Sequence, residues 1–259
     1  MNKNSPGRRA LLLAALATLP MLGARAADPA PRIVAVLSLI GDELTIVVRR
    51  MVTGSQLDRN DRRALAIEDT AFDVAAAVAA ERAIKEVMPA AQRLRVSVRD
   101  KRLFALQDEV LEPGPASDGM REALQALLLE QKATHLMLIT KRRGDAQFQL
   151  SESKTGVGKV SGMGIFIDNG IDLRNTTTGQ SGTGYFACYA YVKVTLVEVA
   201  TMRSLGSRNG TESVMTTPIG SSDASSAWDA LSAKGKADNL VDVADKAVFG
   251  AAREVASIR

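Results

Sequence analysis

Among the residues able to do chemistry, the first to consider are Gly41-Asp42-Glu43-Leu44-Thr45, which interrupt an apolar run from Arg32 to Ile40 and precede a second strand-like run. An acyl-transfer site lies one residue away. An apolar strand ending in Gly-Asp-Ser-Leu can present that serine as a nucleophile, provided a histidine takes its proton. Here Glu43 stands at the serine position. The only histidine, His135, opens the apolar run "HLMLIT" and is not in a late Asp-x-x-His. Loss of nucleophile or base removes most of such an enzyme's rate enhancement. Gly41-Asp42 therefore reads as the turn of a strand-turn-strand hairpin joining the first two strands. If that turn lies at a sheet rim, Lys159 and Arg174 are candidates to stand beside Asp42-Glu43.

Other sets of chemical groups are equally incomplete. In "SKTGVGKVSGMG", Ser153 to Gly164, Gly158-Lys159 looks like part of a phosphate-binding loop. That loop needs Gly-x-x-x-x-Gly-Lys-Ser/Thr opening a helix. Ser153 replaces the first glycine, Val160 the hydroxyl residue, and a strand pattern follows, so the glycines read as loop and bulge residues. One histidine and one cysteine, Cys188, form no metal-ligand cluster. Asp168 and Asp172 could hold a cation weakly, but they suit an Asx-type turn better. Carboxylate pairs for glycosidase chemistry are far apart in sequence, and nothing in this chain marks one. The expectation is therefore no catalytic set, no cofactor and no metal.

The segment "GYFACYAYVKVTLVEVATMRSLG", Gly184 to Gly206, contains all three tyrosines of the chain. Period-2 alternation puts Phe186, Cys188, Ala190, Val192, Val194 and Leu196 on one face. That face suits a core, with Cys188 a buried, inert thiol. Tyr185, Tyr189, Tyr191, Lys193 and Thr195 share the other face. It is open to two readings: packing beneath a helix, or a surface on which Tyr185, Tyr189, Tyr191 and Lys193 meet a partner, since interfaces are enriched in aromatic groups.

The elements around these residues alternate. Strands are expected at Arg32–Ile40, Glu43–Val52 and Ala64–Ile67, with a polar loop over Thr53–Arg63. Thr70 to Met88 has helical spacing and is stopped by Pro89. A strand follows at Leu94–Val98, then an ambiguous Lys101–Val110 and a break at Glu112-Pro113-Gly114-Pro115. A helix capped by Ser117 or Asp118 runs through Lys132, and a strand at His135–Thr140 follows. Beyond Arg142 strands at 147–151, 160–168, 185–200 and 203–215 form an antiparallel series. Ser221–Ser226 links to a helical tail at about 227–258, which Gly235 could interrupt. The expected fold is α/β (α+β), one mixed sheet with an antiparallel C-terminal meander and about three helices.

The chain ends bear on where the protein works. Lys3, Arg8 and Arg9 precede an apolar run, Ala10 to Leu22, shorter than the roughly 20 residues of a membrane span. Ala24-Arg25-Ala26 is a cleavage signature, so residues 1–26 read as a signal peptide for the general secretory route, with a mature start at Ala27. No cysteine follows to carry a lipid. The expected organisation is then a domain over 27–220 and a helical segment over 221–259 packing on it. The whole chain is +4, from 33 Lys+Arg and 29 Asp+Glu. Residues 1–26 hold four of those cations and no acid, so the remainder is balanced. Basicity thus gives no reason to expect nucleic acid or an anionic membrane as partner. With one cysteine, no disulfide can form within the chain.

Two short segments carry a family resemblance. Ala133-Thr134-His135-Leu136-Met137 and Leu196-Val197-Glu198-Val199-Ala200-Thr201-Met202-Arg203-Ser204-Leu205 resemble two motifs of exported bacterial α/β domains. That group includes the TolB N-terminal domain and the CsgG-like, penicillin-binding-protein-activator-like lipoproteins. Glu198 stands where those domains have Asp, and Met202 where they have Gly. The resemblance implies a periplasmic, non-catalytic protein that binds an envelope protein or assembles with itself, and it carries over no catalytic residue. The alternative from another class is a secreted hydrolase using carboxylates. A concave site with convergent Asp/Glu would favour that enzyme.

Overall fold

The computed structural model describes residues 32–50, 59–111, 117–150, 153–219 and 226–258. The signal segment with Ala24, Ala26 and Ala27, the Pro113-Gly114 break and most of the 221–226 linker lie outside them. The strands are β1 (Ile33–Ser38), β2 (Glu43–Val48), β3 (Asp61–Ala66), β4 (Gln92–Val96), β5 (His135–Lys141) and β6 (Arg143–Asp145). They continue with β7 (Phe148–Leu150), β8 (Ser153–Thr155), β9 (Lys159–Arg174), β10 (Ser181–Glu198) and β11 (Arg203–Thr216). The helices are α1 (Ala71–Val87), α2 (Lys101–Ala105), α3 (Asp118–Glu130) and α4 (Ala233–Ala256). This is the expected mixed α/β class.

β10 is the template of the sheet. Its 18 residues reach about 60 Å at strand rise. Along one edge it pairs with the whole of β11. Along the other, Tyr191 to Ser181 pair with β9 and Val192 to Glu198 pair with β5, both antiparallel. So β5 and β9 lie end to end against one strand. Next outward, β1 is parallel to β5 and β2 is parallel to β9. β4 and β3 close the two outer edges.

This arrangement corrects the hairpin expected at Gly41-Asp42. β1 and β2 do not pair; the chain keeps its direction and steps from β5 to β9. A tight two-residue turn reverses a chain only when its flanking strands bond to each other. Here both flanks find longer partners instead. The Leu39 N–H donates to Ile139 O, extending the β1–β5 ladder, and the Ile67 N–H donates to Asp42 O, extending the β2–β3 ladder.

One face of the sheet is covered by α1 and α4. α1 turns Ala76, Ala79, Ala80 and Ala83 inward, and α4 turns in Ala244, Ala247, Ala251 and Ala252. These small side chains let helix axes approach closely. Ion pairs Arg82–Asp245 (2.9 Å) and Arg253–Glu86 (2.8 Å) join their outer rims. Phe186, Cys188, Ala190, Val192, Val194 and Leu196 all enter this core, as their alternation predicts. The helical tail breaks before Gly235: a 3-10 turn at Ala227–Ala230 ends at Leu231, and the Ser232 hydroxyl caps α4 through the Gly235 N–H at 3.1 Å.

The opposite face has two covers. Around β1 and β5, α3 and the 101–111 segment bury Leu37, Leu103, Leu124, Leu128 and Val197. Around β9 and β10, the cover is an excursion whose described residues, 143–150 and 153–155, contain β6, β7 and β8. The turn from β10 to β11 places Met202 at φ 51° with its side chain buried. That left-handed backbone costs a non-glycine residue on the order of 1 kcal/mol, at the position where the resembled strand pattern has glycine.

Candidate functional site

The step between β1 and β2 is built on Asp73, in the first turn of α1. Its Oδ1 accepts from Ser38 Oγ (2.6 Å), the Ile40 N–H (3.0 Å) and the Gly41 N–H (3.1 Å). Burial raises the Asp73 pKa, those three bonds pull it back, and Asp42 adds to the rise. Gly41 is needed for close approach: a Cβ there would lie 2.7 Å from Asp73 Oδ2 and 3.0 Å from its backbone N. Across the step, Lys141 at the end of β5 pairs with Asp42 (2.6 Å) and Glu43 (3.1 Å). Asp42-Glu43 therefore meets Lys141; Lys159 pairs with Asp145 instead.

This cluster holds three carboxylates and a cation, yet its geometry is that of a clamp. Asp73 secures backbone that no sheet neighbour reaches, and Lys141 secures the two acids of the step. The cleft beside it, lined by Ser38, Asp73, Val74 and Arg95 among others, encloses about 20 Å³, room for about one water.

The three tyrosines are inside the molecule, which corrects the exposed aromatic surface. Tyr185, Tyr189 and Tyr191 are at most 2 % exposed. They pack with Phe148, Phe166 and Val47. The reason is the excursion, which lays Phe148 onto Phe166 at 4.9 Å and beside Tyr189 at 6.1 Å. Tyr191 donates to Asp145 O (2.9 Å) and accepts from the Gln147 N–H (3.2 Å), which ties the excursion to the sheet. The Tyr185 hydroxyl meets Thr155 Oγ1 at 3.4 Å, and burial pushes its pKa up to about 12. Of the four proposed surface residues, only Lys193 is exposed.

Other candidate groups resolve into structural roles. Cys188 is fully buried, and burial raises its thiol to about 12. Asp168 is buried, pairs with Arg49 at 2.6 Å and accepts from the Gly170 N–H at 2.9 Å, an Asx turn. Asp172 accepts from Thr183 Oγ1 at 2.9 Å. His135 bonds Thr134 Oγ1 at 2.8 Å, and burial and Arg32 lower its pKa. Among the described residues, no three His, Cys, Asp or Glu side chains are grouped to hold a metal. Nor is any described helix long and apolar enough to cross a membrane.

A larger concavity lies where β2 and β3 meet the base of the excursion. It has a volume of about 330 Å³, within the range of small-molecule sites. Val47 and Val160 are apolar parts of its wall; Thr45 and Ser161 add hydroxyls; Arg62, Arg143 and Lys159 add positive charge. Arg62 is steadied by backbone carbonyls, donating to Asn60 O at 3.2 Å and Lys159 O at 2.9 Å. Lys159 pairs with Asp145 at 2.5 Å, and both ends of that pair are exposed. These cations come from β3, β6 and β9, and only the pairing of β2 with both β3 and β9 brings them together.

No protein-family model matches the chain, and no curated protein matches its sequence. The resemblance to TolB and CsgG-like domains thus rests on its two short segments. Among solved structures, the chain is similar to a neuraminyllactose-binding hemagglutinin homolog from Helicobacter pylori. Identity is 8 %, coverage is 86 % of this chain and 87 % of that one, and the TM-score is 0.38. A Xanthomonas campestris protein of the DUF330 family is similar at 10 % identity, over 89 % and 87 % of the two chains, with a TM-score of 0.29.

Proposed function

We propose that this chain is an exported, non-catalytic binding protein of the bacterial envelope. The observation that carries the reading is the contrast in concave sites. The carboxylates that a hydrolase would need are engaged in holding the β1–β2 step, beside a cleft with room for about one water. The concavity large enough for a ligand presents cations, hydroxyls and apolar groups, with no carboxylate among its described lining residues. Two cooperating carboxylates about 5–9 Å apart across an open site are what glycoside hydrolysis requires. The apolar leader and Ala24-Arg25-Ala26 support export.

Two measurements test this. Cell fractionation with N-terminal sequencing is expected to find the chain in the periplasm, beginning at Ala27. The purified protein is expected to turn over no member of an ester and glycoside panel above background. Turnover that Asp73→Asn abolishes would make the step an active site and sink the non-catalytic reading.

A further inference from the structure

We propose that the groove at the junction of β2, β3 and the excursion base binds a small phosphate monoester. The inference deepens the binding reading above and rests on it. Three cationic side chains and two hydroxyls surround one volume of about 330 Å³. A phosphate monoester offers three terminal oxygens and a charge near −2 at neutral pH. Five donor groups from Arg62, Arg143, Lys159, Thr45 and Ser161 match those oxygens better than they match the two of a carboxylate. Arginine forks favour planar, bidentate contact with such oxyanions.

The cations are also placed before any ligand arrives. Arg62 is held by the Asn60 and Lys159 carbonyls, so its position costs little further order on binding. Lys159 comes with an exposed partner, Asp145, in a pair that solvent screens and that a better acceptor can replace. Arg143 is exposed on β6 opposite Ser161. Val47 and Val160 lie beneath the groove in the aromatic core and give it a packed floor. The volume suits a phosphorylated glycerol or sugar.

The test is calorimetric titration of the full chain with glycerol 3-phosphate in phosphate-free, low-salt buffer. Saturable binding of one ligand per chain is expected, weakening as salt is added. Arg143→Gln is expected to weaken it tenfold or more. Arg208→Gln, a substitution on β11, should leave it within twofold. Succinate is expected to bind at least tenfold more weakly, and vesicles with phosphatidic acid no better than phosphatidylcholine vesicles. Absence of saturable heat, or binding that Arg143→Gln leaves unmoved, would overturn the site. Equal binding of succinate would overturn the phosphate assignment, and preference for the phosphatidic acid vesicles would overturn the free-ligand assignment. Release of inorganic phosphate during the titration would instead overturn the non-catalytic reading and leave the site standing.

Discussion

Two charged regions of this molecule differ in what their charges do. At the β1–β2 step, Asp73, Asp42, Glu43 and Lys141 face one another and the backbone, and the partners that hold them are all internal. At the groove, Arg62, Arg143 and Lys159 gather around a concavity with no acid among its described lining residues. A cluster of ionisable groups is therefore not by itself a site. Charges whose donors and acceptors are matched inside the protein stabilise the fold. Charges of one sign collected around open volume can meet a ligand even where they are already engaged, as Lys159 is with the exposed Asp145.

The largest effect expected is at Asp73. Asp73→Ala leaves the Ile40 and Gly41 N–H groups and the Ser38 hydroxyl without their acceptor. It should cost about 3 kcal/mol, read from urea denaturation. A loss below about 0.5 kcal/mol would show that the step does not depend on this carboxylate. Gly41→Ala should cost about 2 kcal/mol by the same measurement, because its Cβ meets Asp73. Tyr191→Phe should cost about 1 kcal/mol by releasing Asp145 O and the Gln147 N–H. Arg143→Gln should change stability by about 0.5 kcal/mol or less, as an exposed substitution.

The pH dependence sharpens the same contrast. Burial raises the Asp73 pKa above its ordinary 3.8. In the window between 3.8 and that higher folded value, the folded chain holds more protons than the unfolded one. The contribution of Asp73 to stability is therefore full below the window and falls as pH rises through it. The stability of the wild type relative to Asp73→Asn should decline across that window and level off above it, as unfolding midpoints taken at several pH values would show. A difference that grows with pH would mean that the carboxylate is held charged by its three donors.

The sequence reveals much of the fold and little of the site. Helix α1 is legible from the apolar spacing after Thr70 and the stop at Pro89, and β10 from alternation that sends Cys188 to the core. Pairing is harder to read. Arg32–Ile40 and Glu43–Val52 look like a hairpin because hairpins are local, whereas β1 pairs with β5 and β4 and β2 with β9 and β3, and the β5 and β9 partners are about a hundred residues away. Alternation separates the tyrosine face from the cysteine face, but it does not say whether anything covers the former. The cover here is β6, β7 and β8, which are three residues each and largely polar. Asp73 looks like an acid complementing a helix N-terminus; its role shows only when Gly41 stands against it. Arg62, Arg143 and Lys159 share no sequence pattern at all, because a groove between three strands has no local signature.

One comparison separates the groove from the step: the shift in unfolding midpoint that glycerol 3-phosphate causes in Asp73→Asn and in Arg143→Gln, each against the wild type. A ligand that binds only the folded state raises the midpoint. Asp73→Asn, whatever its own midpoint, is expected to respond fully to the ligand. Arg143→Gln is expected to unfold at the wild-type midpoint and lose most of the response. The reverse pattern, with the response lost in Asp73→Asn and kept in Arg143→Gln, would contradict the account and move the binding site to the step between β1 and β2.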